Sequence, residues 1–243
     1  MNKARDELFR DPGRREREFD FGSETARVFD DMLQRSVPFY GELQNMIAQL
    51  AGDFATPGSR VYDLGCSTGN GMLTMASCLP ETVTLVGVDA SSPMLEQART
   101  KLEGQPLPCP WQLIHADLNQ GLPLDDASVV VMNLTLQFIR PLYRERLVRG
   151  IADSLQQGGC FILVEKVLGQ DSLINRLFIR HYYDFKRRQG YDDSEIMRKR
   201  EALENILIPY HQKENEALLM NNGFSSCDCF FRWYNFCGML AIK

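Results

Sequence analysis

The feature that most constrains this chain is Val61-Tyr62-Asp63-Leu64-Gly65-Cys66-Ser67-Thr68-Gly69-Asn70-Gly71, followed by Val83-Thr84-Leu85-Val86-Gly87-Val88-Asp89. It reads as a strand, a glycine turn, a helix and a second strand closed by an acid. Glycines at the end of a first parallel strand let the backbone approach a ligand, and an acid ending the second can accept hydrogen bonds from both hydroxyls of a ribose. The bland alternative is an ordinary strand-to-helix turn. Asp63 before the turn and Asp89 after it favour a nucleoside-bearing ligand.

The same alternation continues downstream. Residues 60–64, 83–89, 111–116, 128–135 and 160–165 read as strands, the last introduced by Gly158-Gly159. Helices over 71–79, from Ser92-Pro93 onward and over 142–156 fall between them. Such an order implies a parallel sheet covered on both faces. Ahead of the sheet, Ala26, Phe29, Met32 and Leu33 share one helical face. A second helix, capped by Ser36 with Pro38 at an early position, carries Leu43, Met46, Ile47 and Leu50 at helical spacing. Residues 1–21, rich in Arg, Asp and Glu, are expected to form an extended or partly mobile arm. Near the other end, a helix over 212–222 stopped by Gly223 precedes strands 226–231 and 234–242, whose short connection requires an antiparallel pair.

Composition narrows the function. A length of 243 residues with 44% hydrophobic and 24% charged content suits one globular domain. A formal net charge of -5 disfavours a direct grip on nucleic acid phosphates. Seven scattered cysteines suit free thiols in a reducing cytoplasm. No run approaches the roughly 20 apolar residues that span a bilayer, so no membrane partner is expected.

Seven strands with the last one antiparallel resemble the class I S-adenosylmethionine-dependent methyltransferase fold, a Rossmann-like α/β fold, from Arg60 onward. That resemblance implies a single S-adenosylmethionine-binding domain over 1–243, with an arm and helices at 1–57 and a helical insertion at 168–210 that could be a lid or a subunit contact. The insertion carries His181, Tyr182, Tyr183, Lys186, Arg187, Arg188, Arg198, Lys199 and Arg200. In this fold Asp63 meets the ligand's amino group, Asp89 the ribose hydroxyls, Asp117 the adenine amino group beside a backbone amide of Leu118, and Asn133 the methionine end. Structural alternatives stay open. Asp89 could cap a helix, although Ser92 already supplies a cap; Asp117 could merely end a strand; Asn133 could be satisfied within the protein. Ser67 stands where a generic methyltransferase usually has glycine.

A narrower resemblance rests on dispersed segments: Gln34-Arg35-Ser36-Val37-Pro38-Phe39-Tyr40, residues 61–67, Asn133-Leu134-Thr135-Leu136-Gln137-Phe138, Asp184-Phe185-Lys186-Arg187, and Lys199-Arg200 with Leu203-Glu204-Asn205. These are similar to the carboxy-S-adenosyl-L-methionine synthase family. The resemblance implies conversion of S-adenosyl-L-methionine and prephenate to carboxy-S-adenosyl-L-methionine and phenylpyruvate by a homodimer, with no metal expected. The product would serve a partner enzyme that carboxymethylates 5-hydroxyuridine at the tRNA wobble position. Implied ligand contacts are Tyr40, Gly65, Cys66, Ser67, Asp89, Ala90, Asp117, Leu118, Asn133 and Arg200, with Tyr40 and Arg200 holding carboxylates. Ala90 stands where family members can offer an amide, so its contact must come from backbone. Cys66, with no adjacent histidine, reads as a packing thiol rather than a nucleophile. Spacing alone makes Arg198-Lys199-Arg200 a solvated helix face. The resemblance gives Arg200 an anion to hold, because a guanidinium aimed at a bare sulfonium would be repelled.

The runner-up is an S-adenosylmethionine-dependent methyltransferase acting on a small molecule or RNA, which shares every one of these contacts. A noncatalytic sensor of the nucleoside and a nicotinamide-dependent oxidoreductase rank below it.

Overall fold

The computed structural model describes residues 5–10, 19–121 and 124–243. Five parallel strands form its centre: β1 (Arg60–Leu64), β2 (Thr84–Asp89), β3 (Trp111–His115), β4 (Ala127–Asn133) and β5 (Leu155–Leu168). A two-residue β6 (Tyr210–His211) pairs with β5, and the antiparallel pair β7 (Ser226–Trp233) and β8 (Phe236–Ile242) completes the sheet in the order β3-β2-β1-β4-β5-β8-β7. Apart from β6, these are the expected seven strands, with β8 antiparallel to β5.

Near-continuous Val, Leu and Ile runs in β1, β2, β4 and β5 are buried because helices cover both faces. On one face, Val130 and Phe161 pack with Val148 and Ile151 of α5 (Pro141–Ser154) and Leu219 of α8 (Gln212–Met220). On the other, Val129 and Ile162 pack with Leu43 and Ile47 of α2 (Tyr40–Phe54) and Met72 of α3 (Asn70–Ala76). The remaining helices are α1 (Ser23–Ser36), α4 (Ser92–Glu103), α6 (Ser172–Arg188) and α7 (Asp193–Ala202), the last two filling the expected insertion. Among the described residues, no helix is long and apolar enough to cross a membrane.

Several local expectations are corrected. Ser36 does not cap the second helix: it ends α1, and α2 starts at Tyr40 after Phe39 turns left-handed at φ 53°. The cap of α4 is Ser91 rather than Ser92, its hydroxyl accepting from the Met94 N–H at 3.2 Å. β5 begins at Leu155, before the glycine pair, because Leu155 pairs with Ala127 and a register shift absorbs the glycines. The arm is not loose where it is described. Asp6 is buried, its N–H donating to Asp31 and its carboxylate accepting from the Tyr191 hydroxyl, and Phe19 N–H donates to the Ala202 carbonyl at 3.0 Å. Residues 1–4 and 11–18 of that arm lie outside the described residues.

One buried cation fastens the insertion to the sheet edge. Arg144, 1% exposed, donates to the carbonyls of Ile139, Gln137 and Ile208 and lies 4.2 Å over the Tyr210 ring. Glu165 sits nearby with its carboxylate capping the Leu136 and Gln137 N–H groups; burial nonetheless pushes it up to about 8, while Arg144 pulls the other way. Replacing Arg144 with Met strands three carbonyls and removes the cation facing Glu165. We expect denaturant unfolding of R144M to show a loss of about 3 kcal/mol; a loss below about 0.5 kcal/mol, the usual range of a surface change, would refute this role.

Candidate active site

β1, β2 and β4 end side by side where the strand order reverses, the place where open α/β sheets bind ligands. A cavity of about 360 Å³ opens there. Its floor is the turn after β1. Gly65 has φ 84°, and a Cβ at that position would lie 2.3 Å from Thr135 Oγ1, so both the backbone angle and the close approach demand glycine. Ser67 is also left-handed, at φ 48°, which is why glycine is usual there; holding serine in this state costs about 1–2 kcal/mol. Two bonds offset that cost: Ser67 N–H donates to Asp89 Oδ2 at 2.9 Å, and its hydroxyl donates to the Gly65 carbonyl at 3.3 Å.

Asp89 is the hinge of the turn. One oxygen takes the Ser67 N–H and the other the Ser91 N–H at 2.8 Å, leaving a lone pair on each facing the cavity. Burial raises its pKa, and these N–H groups work against that rise. Asp63, 4% exposed, lies on the same wall with no hydrogen bond from the described residues. Burial, followed by repulsion from Asp89, pushes it up to about 7. A cationic amine is the partner that would restore its charge. Asn133 also lines the cavity, with a buried Oδ1 that finds no hydrogen-bond partner. An unpaired carboxylate and an unpaired amide oxygen on one wall suit an ammonium donor such as the amino group of S-adenosylmethionine.

The cavity gathers Tyr40, Gly65, Cys66, Ser67, Asp89, Ala90, Asp117, Leu118 and Asn133, nine of the ten residues expected from the sequence. Tyr40 keeps its phenolic proton, because burial beside Asp30 and Asp63 raises its ionisation. The Cys66 thiol is raised well above its ordinary value by burial and by the two aspartates, so it packs as a neutral thiol. Ala90 is exposed and its carbonyl is engaged by His115 Nε2 at 2.8 Å. Asp117 follows β3 and caps a short 3₁₀ turn by accepting from the Asn119 N–H at 2.9 Å, which lowers its pKa; its cap role and its place in the cavity coexist. Arg200 is the exception: it is exposed on α7 and does not line the cavity.

Other lining residues escaped the sequence reading. Phe19 and Phe21 of the arm line the cavity, Phe21 meeting Phe138 edge-on at 5.2 Å. Lys166 from β5 and Lys199 from α7 enter a second wall beside Tyr182. Aromatic residues inside a charged arm were a usable signal for the first pair. For Lys199 the signal was helical geometry: at about 100° per residue, three consecutive cations cannot share one face. Arg198 instead donates to the carbonyls of Phe9 and Arg10, Lys199 turns inward and Arg200 outward.

Because Asp63 changes charge near pH 7, affinity for an amine-bearing nucleoside should follow it. We expect the dissociation constant of S-adenosylhomocysteine to fall as pH rises toward about 7 and to level off above it, with up to tenfold per pH unit, and Asp63→Asn to abolish the dependence. The sign for the ligand-free fold is opposite: a carboxyl with a raised pKa contributes stability below its ordinary value of 3.8 that is lost as pH rises through about 7. Calorimetric affinities that do not vary with pH would contradict the assignment.

Comparison with known proteins agrees with this geometry. Residues 61–159 match the family model described as a methyltransferase domain. Carboxy-S-adenosyl-L-methionine synthase of Methylococcus capsulatus is 54% identical over 241 residues, covering 99% of this chain and 100% of that protein. The protein of the same name from Desulfotalea psychrophila is 43% identical, covering 100% and 99%. Human N-acetylserotonin methyltransferase in complex with SAM superposes with a TM-score of 0.62 at 14% identity, over 97% of this chain and 57% of that one, a likeness of fold. The identity along the full length and the methyltransferase fold lead to one conclusion: the chain belongs to the carboxy-S-adenosyl-L-methionine synthase family.

Proposed function

We propose that this protein is an enzyme that makes carboxy-S-adenosyl-L-methionine from S-adenosyl-L-methionine, with prephenate as the source of the carboxyl group and phenylpyruvate as the second product. The observation that carries this reading is the match to relatives of that name from end to end, which includes the insertion and the arm as well as the nucleoside cradle. Asp63 and Asn133 would hold the amino group of the substrate, Asp89 its ribose, and Asp117 with Leu118 its adenine, while Gly65, Cys66 and Ser67 pass backbone along the methionine part and Ala90 contributes backbone only. Tyr40, kept protonated, would donate to a carboxylate.

On this reading prephenate supplies carbon dioxide and hydroxide as it aromatises, the hydroxide taking a proton from the S-methyl group and the carbon so freed bonding to carbon dioxide. The arm then has a clear purpose: its Phe19 and Phe21, packed with Phe138 of the turn after β4, would exclude water from reagents that water would consume. The protein's residues hold and enclose, and no residue need act as a base. The product would leave as the carboxymethyl donor for modification of wobble uridine by a separate tRNA enzyme, in the cytoplasm, with no direct contact between this chain and nucleic acid. Incubation with both substrates should yield a nucleoside heavier by one carbon dioxide unit, together with phenylpyruvate. Transfer of an isotopically labelled methyl group to an acceptor, with S-adenosylhomocysteine as product, would instead favour a methyltransferase.

Arg200, exposed on α7, supports a homodimer in which it reaches the carboxymethyl group in the other subunit's pocket. Arg200→Ala and Gly65→Ala should each be inactive alone. Their mixture should recover part of the activity, because one of the two sites in a mixed dimer is then intact; absence of recovery when mixed dimers have formed would exclude the shared site.

A further inference from the structure

The wall made by β5 and α7 gathers three lysine side chains around Tyr182 and Tyr191. Lys166 and Lys199 line the cavity, and Lys186 of α6, only 5% exposed, lies close behind. Lys166 Nζ is 4.6 Å and Lys186 Nζ 5.5 Å from the centre of the Tyr182 ring; Lys186 and Lys199 Nζ are 5.4 and 5.9 Å from that of Tyr191. All three are pushed down by burial, Lys166 to about 8, and their mutual repulsion adds to that for Lys166 and Lys186.

Available anions are few. Asp6 Oδ2 is 3.8 Å from Lys199 Nζ and already accepts from the Tyr191 hydroxyl. Glu195 spends Oε2 on the Asp192 N–H at 2.9 Å. Glu165, next to Lys166 in sequence, points to the opposite face of β5, where it caps the Leu136 and Gln137 N–H groups. The Tyr182 hydroxyl donates to the Ser36 carbonyl, and Arg35 leans on Tyr191 and Asp31. No described carboxylate meets Lys166. Ammonium groups desolvated in this way are stable chiefly when an anion arrives between them.

We propose that Lys166 and Lys199 form a carboxylate subsite of the pocket, and that it takes the side-chain carboxylate that prephenate retains on becoming phenylpyruvate. The assignment rests on the reading of the co-substrate given above. The choice between the two carboxylates of prephenate follows from the reaction. A carboxylate that departs as carbon dioxide disperses its charge in the transition state, so an ion pair to it would stabilise the ground state more and slow the step. The carboxylate that stays can be gripped at no such cost. The pocket is thus polarised, with Asp63 and Asp89 facing the cationic nucleoside and the lysine wall facing the anionic co-substrate.

Lys166→Met and Lys199→Met should raise the KM for prephenate by about thirtyfold or more while leaving kcat less affected and the dissociation constant of S-adenosylhomocysteine unchanged. Lys166→Arg should restore much of the loss. A readout on the unaltered protein avoids any folding defect: reductive methylation of Lys166 and Lys199, followed peptide by peptide by mass spectrometry, should be slowed by saturating phenylpyruvate. Folded variants with an unchanged KM, or lysines labelled equally fast with and without phenylpyruvate, overturn the subsite. If the protein makes no carboxylated nucleoside from prephenate yet phenylpyruvate still protects both lysines, the reaction assignment fails and the subsite stands; product formation without protection means the reverse.

Discussion

Asp89 ends β2 with its carboxylate divided between two backbone N–H groups, those of Ser67 and Ser91. Through the first it holds the turn after β1 in a left-handed state that serine does not favour; through the second it fixes the start of α4, whose own cap is the hydroxyl of Ser91. A charged group desolvated at the carboxyl edge of a sheet is expensive, and these N–H groups are what make it tolerable. Burial raises the pKa of Asp63 and of Cys66, and the charge of Asp89 adds to both, so that the nucleophilicity of the thiol is suppressed and the carboxyl is poised near neutrality. Asp89 and its two hydrogen bonds thus shape the turn, the start of α4 and part of the acidic wall.

The same cavity carries the opposite charge on another wall, and the two do not cancel within the protein. Asp63 lacks a hydrogen bond and Lys166 lacks a carboxylate among the described residues. Keeping them apart requires the elements beyond the common fold. β5 runs on to Leu168, which carries Lys166 past the core, and the insertion returns α7 over it. Arg144 holds the segment at Ile208, and Asp6 ties the arm to Tyr191 beneath the lysines. A site built to transfer a methyl group needs only the acidic side of this arrangement. A site that must also bring an anion to the sulfonium needs both.

The alternation of strands and helices, the glycine turn and the acids at the strand ends were legible because each rests on local sequence: apolar runs bounded by glycine, and an acid at a fixed offset. The antiparallel end followed from the length of one connection. Boundaries set by long-range pairing were not legible, such as the start of β5 at Leu155, which depends on Ala127. Ser36 looked like a cap because it precedes Pro38, but the Val37 N–H closes α1 onto the Leu33 carbonyl at 2.8 Å and claims Ser36 for the first helix. The arm looked mobile because its charges are invisible as anchors until their partners, Asp31, Tyr191 and Arg198, are brought to them by the fold. The lysine wall was hidden for a related reason. Lys166 follows a glutamate in a strand and Lys199 sits between arginines in a helix, so only the direction of each side chain separates a binding group from a solvated one.

On the proposed function, this pocket accommodates a nucleoside whose sulfonium carries a carboxylate. The most direct measurement is the mass of the small molecule released from the purified protein by denaturation. The expected species is a nucleoside heavier than S-adenosyl-L-methionine by one carbon dioxide unit. Recovery of S-adenosylhomocysteine in its place would mark the pocket as that of a methyl donor and rule out the carboxylated nucleoside.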